Sequence, residues 1–396
     1  DHRDLHSFPT RRSSDLTTQP IHILQWGMTT GLGGIETFIM NVYRHMDRTK
    51  VQFDFLQDYH DGPLHFENEI QSMGGNICRV LVPQRDSLIR SRTCLPRFFQ
   101  QHPEIMGVHM HANFPYALPL KYAQRAGIGL RILHSHNIEE YQHHENPLRA
   151  LLWDMRGQAI AKDIDRYPTH YFACSDLAAN FMFPNKPYTW IRNGIDRAQF
   201  AYNAAAREKA RRELKLSDHT TVIGFCGGFR PQKNPLFLLD MFERYHAIHP
   251  DSVLVMVGDG PLRDEIECRI VEKNLDGCVQ LLGQRSDVAE LYQAMDAFVL
   301  PSVAEGLGIV YIEAQCAGLP CLGSADVVPE SARVCDLMHF ERLGNGPDAW
   351  ATRLDDILKH APERRSRSSE VKVAGYEMSD VAAQLQEFYV RNAKRS

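Results

Sequence analysis

Two glutamates in the C-terminal half of the chain have a spacing that suits ligand binding. In the stretch PSVAEGLGIVYIEAQCAGLPC, residues 301–321, Glu305 lies in a glycine-rich loop and Glu313 lies on the apolar helical run that follows. The loop supplies three consecutive backbone N–H groups just ahead of the helix, those of Gly306, Leu307 and Gly308. Free N–H groups and the helix dipole favour an anion at an N-terminus. The stretch therefore predicts a phosphate-containing ligand that both carboxylates border at different points along its length.

A second motif, GGFRPQKNP at residues 227–235, has two cations beside glycines directly after a predicted strand. Arg230 and Lys233 would stand at the carboxyl end of a parallel sheet, where doubly wound folds bind ligands. Two positive charges beside close backbone donors suit a diphosphate. A solvated basic turn is the alternative that these residues leave open.

Glycines also follow the first predicted strand, in GLGGIE at residues 31–36. Gly33 and Gly34 would let the backbone approach a ligand, and the helix that begins there offers N–H groups to an anion. The spacing is not GxGxxG, so a nicotinamide cofactor is not favoured. A tight turn without a ligand is the alternative here, and a simple turn is also the ordinary interpretation of VGDGP at residues 257–261.

Two pairs of histidines stand at predicted strand ends, His109 with His111 and His134 with His136. Residues at i and i+2 on a strand face the same side, so each pair could bind a metal or hydrogen-bond a polar ligand. No cysteine or carboxylate cluster neighbours them in the sequence to complete a metal site. We therefore expect no metal cofactor and a hydrogen-bonding role toward a polar ligand.

Short apolar strands alternate with amphipathic helices from Ile21 onward, which predicts parallel sheets covered by helices on both faces. The turn signal Asn193-Gly194 interrupts this rhythm, and a second series of strands follows. We predict an α/β protein with two doubly wound, Rossmann-like domains. The predicted parts are an N-terminal domain over 17–195, a C-terminal domain over 196–375, and a helix over 376–396 that could pack back on the first domain.

Composition excludes several classes of protein. Of 396 residues, 43% are hydrophobic and 23% charged, which describes a globular chain long enough for two domains. The net charge of −5 gives no general attraction to nucleic acid, and no apolar stretch approaches the ~20 residues of a membrane-spanning helix. Nine scattered cysteines indicate neither a disulfide framework nor a zinc site and fit the cytoplasm. Residues 1–16 read like a translated sequencing adapter, and we interpret them as non-native; resequencing the source DNA tests this.

Taken together, these motifs resemble the retaining GT-B glycosyltransferases of family 4, the glycosyl transferases group 1 type. EGLGIVYIE fits that family's E-x7-E signature, and HSHN, PQKNPLFLLDMF and IEAQCAGLPCL are similar to its capsule and exopolysaccharide branch. The resemblance covers the chain from Ile21 to the C-terminal helix. It implies a GT-B fold with a central cleft. It also implies retaining transfer of a sugar from a nucleotide-sugar, usually a UDP-sugar, to a polysaccharide or lipid-linked saccharide.

The resemblance implies roles for residues of the second domain. Glu313 would hydrogen-bond the ribose hydroxyls, and Glu305 would contact the donor sugar. Lys233 would neutralise the diphosphate beside the N–H groups around Gly306 and Leu307. Family enzymes stabilise the leaving group with basic side chains and helix N-termini instead of a metal, and AFVLPS here lacks the DxD arrangement of metal-dependent transferases.

For the first domain, the resemblance places the loop of Gly33 and Gly34 near the diphosphate and the acceptor. His134, with His136 as the less favoured candidate, would contact the transferred sugar. Both domains would thus contribute to one site in the cleft.

One position departs from the family's pattern. The family usually reads G-R-[FL]-x-x-x-K-N, whereas GGFRPQKN has Gly228 in place of the arginine. Arg230 lies two residues on and would reach the phosphate if the strand end bends. A missing charge-assisted partner of the diphosphate would cost about 1.5–3 kcal/mol, which is roughly one to two decades in rate.

The segment RDSLIRSRTCLPRFFQQ, residues 85–101, combines arginines with apolar residues. A basic amphipathic segment suits the anionic face of the inner membrane and would bring a peripheral enzyme to a lipid-linked acceptor. An ordinary surface helix is the open alternative, and liposome pelleting of a variant with Gln in place of the arginines distinguishes the two. The arginines are Arg85, Arg90, Arg92 and Arg97, and the apolar residues are Leu88, Ile89, Leu95, Phe98 and Phe99.

Three other functions fit parts of the pattern. A nucleotide-sugar 2-epimerase shares the architecture, and the E-x7-E signature argues against it. A non-catalytic or weakly active sugar-nucleotide-binding protein is suggested by Gly228 and predicts nucleotide binding without turnover. An NAD-dependent dehydrogenase is disfavoured because the GxGxxG motif with its downstream acid is missing.

Overall fold

The computed structural model describes residues 19–31, 33–58, 61–80, 88–136 and 160–394. The predicted adapter-derived segment, residues 1–16, lies outside these ranges. Within them, the alternating strands and helices predicted from the sequence form two parallel sheets, which confirms the α/β prediction.

The first sheet has seven strands: β1 (Ile21–Trp26), β2 (Val51–Asp58), β3 (Asn76–Val80), β4 (Ile105–Ala112), β5 (Leu130–Ser135), β6 (His170–Ala173) and β7 (Thr189–Trp190). Their order is β3-β2-β1-β4-β5-β6-β7, and every adjacent pair is parallel. The order changes direction between β1 and β4. Such a switch point opens a crevice at the carboxyl ends of the strands, where ligands bind in doubly wound folds.

Helices cover both faces of this sheet: α1 (Gly34–His45), α2 (Glu67–Ser72), α3 (Leu88–Gln101), α4 (Leu118–Arg125), α5 (residues 160–166) and α6 (Asp176–Met182). One hydrophobic core lies between the sheet and α1, and a second lies on the opposite face under α3, α4 and α6. The sheet is therefore buried on both faces, which accounts for its long apolar strands.

The second sheet has six strands: β8 (Thr221–Cys226), β9 (Ser252–Val257), β10 (Val279–Leu281), β11 (Ala297–Leu300), β12 (Cys321–Ser324) and β13 (Met338–Glu341). They run in the order β10-β9-β8-β11-β12-β13, again with parallel neighbours. The switch point of this sheet lies between β8 and β11. The two glycine-rich motifs of the second domain follow these two strands, so the fold brings them to the same crevice.

The helices of the second half of the chain are α7 (Arg197–Phe200), α8 (Ala204–Glu213), α9 (Pro235–Ile248), α10 (Arg263–Glu272), α11 (Val288–Ala294), α12 (Ile309–Cys316), α13 (Gly346–Lys359), α14 (Ser368–Val373) and α15 (Met378–Asn392). Short 3-10 turns span Pro231–Lys233, Glu330–Ala332 and Leu343–Asn345. Helix α12 begins and ends where its glycines predict, with Gly308 as the N-cap and Gly318 in the left-handed conformation just beyond the C-cap.

The last helix, α15, packs on the first domain. Its apolar face, including Leu385 and Tyr389, is buried in the core that α1 covers. The chain passes between the domains twice, and two hydrogen bonds hold the two crossing segments side by side. The N–H of Ile195 donates to the carbonyl of Tyr376 over 2.9 Å, and the N–H of Met378 donates to the carbonyl of Ile195 over 3.1 Å. Gly194 is needed here, since a Cβ on it would lie 2.9 Å from the Cα of Met378.

Residues 88–101 of the basic segment form α3, and the apolar side chains described there face inward. Leu95, Phe98 and Phe99 are buried in the first domain, whereas Arg97 is exposed. Arg85 and the side chains of Leu88, Ile89, Arg90 and Arg92 lie outside the described residues. Because Leu95, Phe98 and Phe99 are buried, they cannot form a membrane-facing apolar surface. Membrane contact stays a prediction that rests on the other residues of the segment. Among the described residues, no helix is long and apolar enough to cross a bilayer.

Candidate active site

The predicted cation and the predicted loop carboxylate meet at the switch point of the second sheet. Lys233 donates from Nζ to Oε1 of Glu305 over 2.5 Å, and the hydroxyl of Ser302 donates to the same oxygen over 2.7 Å. Glu305 is 4% exposed, whereas the side chain of Lys233 is 22% exposed. The buried carboxylate therefore has two donors, and the ammonium keeps a face toward the cleft.

Backbone hydrogen bonds hold the loops after β8 and β11 together beside this ion pair. The N–H of Val303 donates to the carbonyl of Gln232 over 2.9 Å, and the side-chain amide of Gln232 donates to the carbonyl of Ala304 over 2.9 Å. The position of Lys233 relative to Glu305 is thus fixed by main-chain contacts as well as by charge.

The loop after β9 supports the loop after β8 from the other side. Gly258 has a φ of +144°, and a Cβ on it would lie 2.0 Å from the carbonyl oxygen of Gly227. The N–H of Phe229 donates to the carbonyl of Asp259 over 2.9 Å. The VGDGP motif, whose ordinary interpretation is a simple turn, is therefore a close-contact surface that only glycine permits at 258.

The chain bends sharply between Gly228 and Arg230. The N–H of Arg230 donates to the carbonyl of Gly228 over 2.8 Å, which is the i to i+2 bond of a γ-turn. A Cβ on Gly228 would lie 3.6 Å from Nε and 3.8 Å from Cδ of Arg230, so the arginine folds back over the glycine. The structure thus puts an exposed guanidinium beside the position where the resembled family carries its arginine.

The backbone ahead of α12 offers the predicted donors. Within the described residues, none of the N–H groups of Gly306, Leu307 and Gly308 donates a hydrogen bond. The side chain of Leu307 is buried in the second-domain core, so only its backbone is available to a ligand. Gly308 is in the left-handed conformation, with φ 75° and ψ 62°. The carbonyl of Gly306 accepts a hydrogen bond from the hydroxyl of Ser175, which joins the first domain to this loop.

Glu313 lies deeper along α12, and its half-buried carboxylate accepts a hydrogen bond from the Tyr292 hydroxyl over 2.9 Å. Burial raises the pKa of Glu313 to about 7, although the Tyr292 hydrogen bond opposes this shift. Cys226, at the end of β8, interacts with the Tyr292 hydroxyl, and burial raises the pKa of its thiol to about 12. Glu313 therefore gains or loses its proton near neutral pH, whereas its neighbours Tyr292 and Cys226 stay protonated and neutral.

In the first domain, the glycine-rich loop is held by a carboxylate. Glu36 is 5% exposed and accepts hydrogen bonds from the backbone N–H of Thr29 over 3.0 Å and from its hydroxyl over 2.7 Å. Gly33 is the N-cap of α1 and is exposed, as is Gly34. A Cβ on Gly33 would lie 2.7 Å from Oε2 of Glu36, so a glycine lets the carboxylate reach across the loop.

The four histidines lie together at the carboxyl ends of β4 and β5. His109, His111, His134 and His136 are at most 8% exposed, and Phe38 packs against three of their rings. Burial lowers the pKa of all four, that of His136 to about 3. They are therefore neutral at physiological pH, in a position beside the switch point of the first sheet.

The structure groups the predicted site residues in two places. Lys233, Arg230, Glu305, Glu313 and the N–H groups of 306–308 line the carboxyl end of the second sheet, and the histidines line that of the first. Sequence reasoning missed the residues that position these groups: Ser302, Ser175 and Glu36, together with Gln25, which hydrogen-bonds His111, and Tyr389, which hydrogen-bonds His109. Glu36 and Ser175 carry a local signal, the first as an acidic residue in the first turn of α1 and the second as the N-cap of α6, whereas Ser302, Gln25 and Tyr389 carry none.

Comparison with other sequences gives matches across the chain. The family model of glycosyl transferases group 1 matches residues 206–372. A protein of Bacillus subtilis (strain 168) named glycosyltransferase EpsF is 32% identical over 358 residues, which cover 89% of this chain and 90% of EpsF. The UDP-Gal:alpha-D-GlcNAc-diphosphoundecaprenol alpha-1,3-galactosyltransferase of Escherichia coli is 36% identical over 137 residues, 34% of this chain and 35% of that enzyme.

Solved structures share the architecture. HepE of Anabaena in complex with UDP and glucose has a TM-score of 0.73 and 17% identity, and the likeness covers 94% of this chain and 100% of HepE. WaaG, a glycosyltransferase involved in lipopolysaccharide biosynthesis, has a TM-score of 0.70 and 15% identity over 93% of this chain and 99% of WaaG. At these identities the likeness shows the fold, and it confirms the predicted arrangement of two doubly wound domains.

The Lys233–Glu305 pair yields a stability prediction. Among the described residues, Lys233→Met leaves the buried carboxylate with the Ser302 hydroxyl as its one remaining donor, and we expect it to lower the free energy of unfolding by about 2–4 kcal/mol. Glu305→Gln removes the charge and leaves a lysine that can turn to solvent, so we expect a loss of about 1 kcal/mol. Denaturant unfolding of each variant measures both values.

Lys209→Met is the matched control, because Lys209 pairs with Glu290 on the surface, where both side chains are more than half exposed. It should leave the unfolding midpoint unchanged. The double variant Lys233→Met/Glu305→Gln should lose less stability than the sum of the single variants. Additive losses would show that the two side chains do not interact.

Proposed function

Because the chain belongs to the glycosyl transferases group 1 family and has the GT-B fold, we propose that it transfers a sugar from a UDP-sugar to a lipid-linked saccharide. The reaction is retaining and metal-independent and serves cell-surface polysaccharide biosynthesis. The observation that carries the proposal is the meeting of Lys233, Glu305 and the free N–H groups of residues 306–308 at one switch point. The UDP donor is supported by HepE, which was solved with UDP and glucose, and the acceptor by the name of the E. coli relative.

The diphosphate binds between the loops after β8 and β11. An ammonium carries three N–H donors, and Glu305 accepts one of those of Lys233, so within the described part of the chain two others are free for phosphate oxygens. The guanidinium of Arg230 approaches from the side of Gly228, and the N–H groups at the start of α12 complete the cradle. All these groups stabilise negative charge, which is greatest when the diphosphate leaves.

The two carboxylates bind the two ends of the donor. Glu313 accepts hydrogen bonds from the ribose hydroxyls at the base of the crevice, and Glu305 lies beside the transferred sugar. His134, and with it His136, contacts that sugar from the first domain, while the loop of Gly33 and Gly34 lies near the diphosphate and the acceptor. The donor thereby spans the cleft from one sheet to the other.

Transfer occurs on one face of the sugar. The bond from C1 to the diphosphate oxygen breaks, a bond from C1 to the acceptor oxygen forms on the same face, and the acceptor proton passes to a phosphate oxygen of the leaving nucleoside diphosphate. In this same-face route Glu305 is not the nucleophile, because the acceptor oxygen itself attacks C1. The side chains at the diphosphate supply the positive charge that a metal would otherwise supply.

The first prediction from this proposal concerns donor turnover. The purified protein should release UDP from one UDP-sugar in the presence of membrane extract, at an unchanged rate in EDTA, and Glu305→Gln and Lys233→Ala should each lower the rate at least about tenfold. Nucleotide release is measured across UDP-, GDP- and ADP-sugars. Tight nucleotide binding without release would favour the non-catalytic alternative, and a changed sugar-nucleotide without transfer would favour the epimerase.

A second prediction tests Arg230 as the replacement for the family's arginine. Arg230→Ala should lower the rate by about 10- to 100-fold, because a charge-assisted bond to the leaving diphosphate is lost. Gly228 is not in the left-handed conformation, and a Cβ on it would lie no closer than 3.6 Å to another atom, so the position accepts a side chain. Gly228→Arg added to Arg230→Ala should therefore restore most of the rate. Gly228→Lys is the control that restores charge without the planar fork. No rescue by Gly228→Arg would show that position 228 does not face the phosphate.

A third prediction follows from the raised pKa of Glu313. Ribose hydroxyls donate to the charged carboxylate, so binding must release a proton below the free-state pKa of about 7. The affinity for a UDP-sugar, whose diphosphate does not titrate in this range, should rise by up to about tenfold per pH unit below pH 7 and level off above it. Glu313→Gln should bind more weakly and with no such dependence. Calorimetry in two buffers below pH 7 measures the proton released on binding. Equal binding heats in the two buffers would contradict the role of Glu313 in binding the ribose.

A further inference from the structure

The four buried histidines form two hydrogen-bonded chains that begin on different parts of the protein. In the first, the tyrosine chain, Tyr389 Oη lies 2.5 Å from Nδ1 of His109, and Nε2 of His109 lies 3.1 Å from Nδ1 of His134. In the second, the glutamine chain, Oε1 of Gln25 lies 2.9 Å from Nε2 of His111, and Nδ1 of His111 lies 2.8 Å from Nε2 of His136. Each chain ends on β5 or directly after it.

Both chains end in a buried nitrogen without a partner. Within the described residues, Nε2 of His134 and Nδ1 of His136 have no hydrogen-bond partner, although the two residues are 0% and 8% exposed. A buried polar atom left unpaired in the free protein is costly, and such an atom is normally satisfied by a ligand or by water. The unpaired atoms are therefore the ends of the two chains at which a ligand or a water would complete the hydrogen bonding.

The direction of the glutamine chain follows from its first member. The side-chain oxygen of Gln25 only accepts, so Nε2 of His111 must donate to it. A neutral imidazole has one N–H, so Nδ1 of His111 carries a lone pair and accepts from Nε2 of His136. Nδ1 of His136 is then left with a lone pair, and it accepts a hydrogen bond from the ligand.

The tyrosine chain runs in the opposite sense. Burial raises the pKa of Tyr389, although a contact with the Gln25 side chain opposes this shift, so the hydroxyl keeps its proton, and Nδ1 of His109 lies 2.5 Å from it. The hydroxyl donates to Nδ1 of His109, and the N–H at Nε2 of His109 donates to Nδ1 of His134. Nε2 of His134 therefore carries an N–H and donates to the ligand.

We propose that the tyrosine and glutamine chains fix the tautomers of the two terminal histidines, so that His134 offers an N–H donor at Nε2 and His136 a lone-pair acceptor at Nδ1 to a sugar hydroxyl-bearing substrate. Tyr389, His109, Gln25 and His111 are positioning residues. The choice of a sugar rests on the function proposed above. A hydroxyl both donates and accepts, so it matches this pair, whereas a phosphate lacks the proton that His136 accepts.

A metal site is the competing arrangement. His109, His111 and His134 each have a ring nitrogen within 4.8 Å of the others. However, the hydrogen bonds already engage both nitrogens of His109 and of His111. A bound metal would displace those bonds, so the two arrangements exclude each other and a single experiment separates them.

The test is long-range ¹H–¹⁵N NMR on the full chain with ¹⁵N-labelled histidine, which distinguishes Nδ1–H from Nε2–H rings. Peaks are assigned by His134→Gln and His136→Gln. The proposal requires that all four rings be neutral Nε2–H tautomers. Tyr389→Phe should add an Nδ1–H population at His134 and leave His136 unchanged, and Gln25→Leu should do the reverse. Phe388→Leu, beside Tyr389 on α15, alters packing but removes no hydrogen bond and should change neither ring.

The kinetic arm uses the same variants with the active UDP-sugar. Tyr389→Phe and Gln25→Leu should lower kcat/KM about tenfold while leaving the dissociation constant of UDP, which has no sugar, within twofold of the wild-type value. Phe388→Leu should leave both values unchanged. A purely structural role would weaken UDP binding and sugar transfer together.

Each outcome decides a defined part of the proposal. An Nδ1–H form of His134 or His136 in the wild type, or stoichiometric zinc in the purified protein by elemental analysis, overturns it. The expected tautomers in a protein that releases no nucleotide support the chains and reject the sugar, so failure of the proposed function is recognised separately. The expected tautomers with unchanged kinetics in both variants also reject the sugar contact.

Discussion

The ion pair between Lys233 and Glu305 is the interaction on which the second-domain site depends. A carboxylate that is 4% exposed is stable only with close donors, and Lys233 and Ser302 provide them. Because these donors come from the loop after β8 and the loop after β11, the need to satisfy one carboxylate fixes two loops relative to each other. The N–H groups ahead of α12 then have a defined position beside the ammonium, which is the arrangement that a diphosphate requires.

The first domain depends in a comparable way on the last helix of the chain. The core that α1 covers is completed by α15, and Tyr389 on that helix begins the tyrosine chain that ends at His134. The chain must therefore cross to the second domain and return before the first domain has its full core and its full set of hydrogen bonds. Hydrogen bonds at Ile195 and Met378 hold the two segments that connect the domains next to each other, which restricts how far the domains can move apart.

Most of the architecture could be predicted from the sequence, because it depends on local patterns. The strands carry continuous apolar runs, Gly308 and Gly318 bound α12, and the motifs after β8 and β11 meet wherever those strands are neighbours. What could not be predicted depends on distant partners. Ser175 and Gly306 are 131 positions apart, and His109 and Tyr389 are 280 positions apart, so no window of sequence contains either contact.

Two local features were also beyond the sequence. The bend that brings Arg230 over Gly228 depends on contacts of Gly258 and Asp259, in the loop after β9, with the loop after β8. The sequence VGDGP does not predict those contacts. Likewise, an amphipathic pattern in α3 cannot reveal which surface its apolar face meets; Phe98 and Phe99 meet the core of their own domain. Periodicity predicts a buried face, and tertiary structure decides what buries it.

Charge is divided between the two walls of the cleft, and this division follows from burial. The second domain presents the ammonium of Lys233 and the guanidinium of Arg230, which attract phosphates. The first domain presents four imidazoles whose pKa values are lowered by burial, so that none carries charge at neutral pH. Charged histidines would compete with Lys233 for the diphosphate and draw it to the wrong wall. Neutral rings discriminate only by hydrogen bonding, so in the proposed binding mode the phosphates would lie against one wall and the hydroxyl-bearing part of a donor against the other.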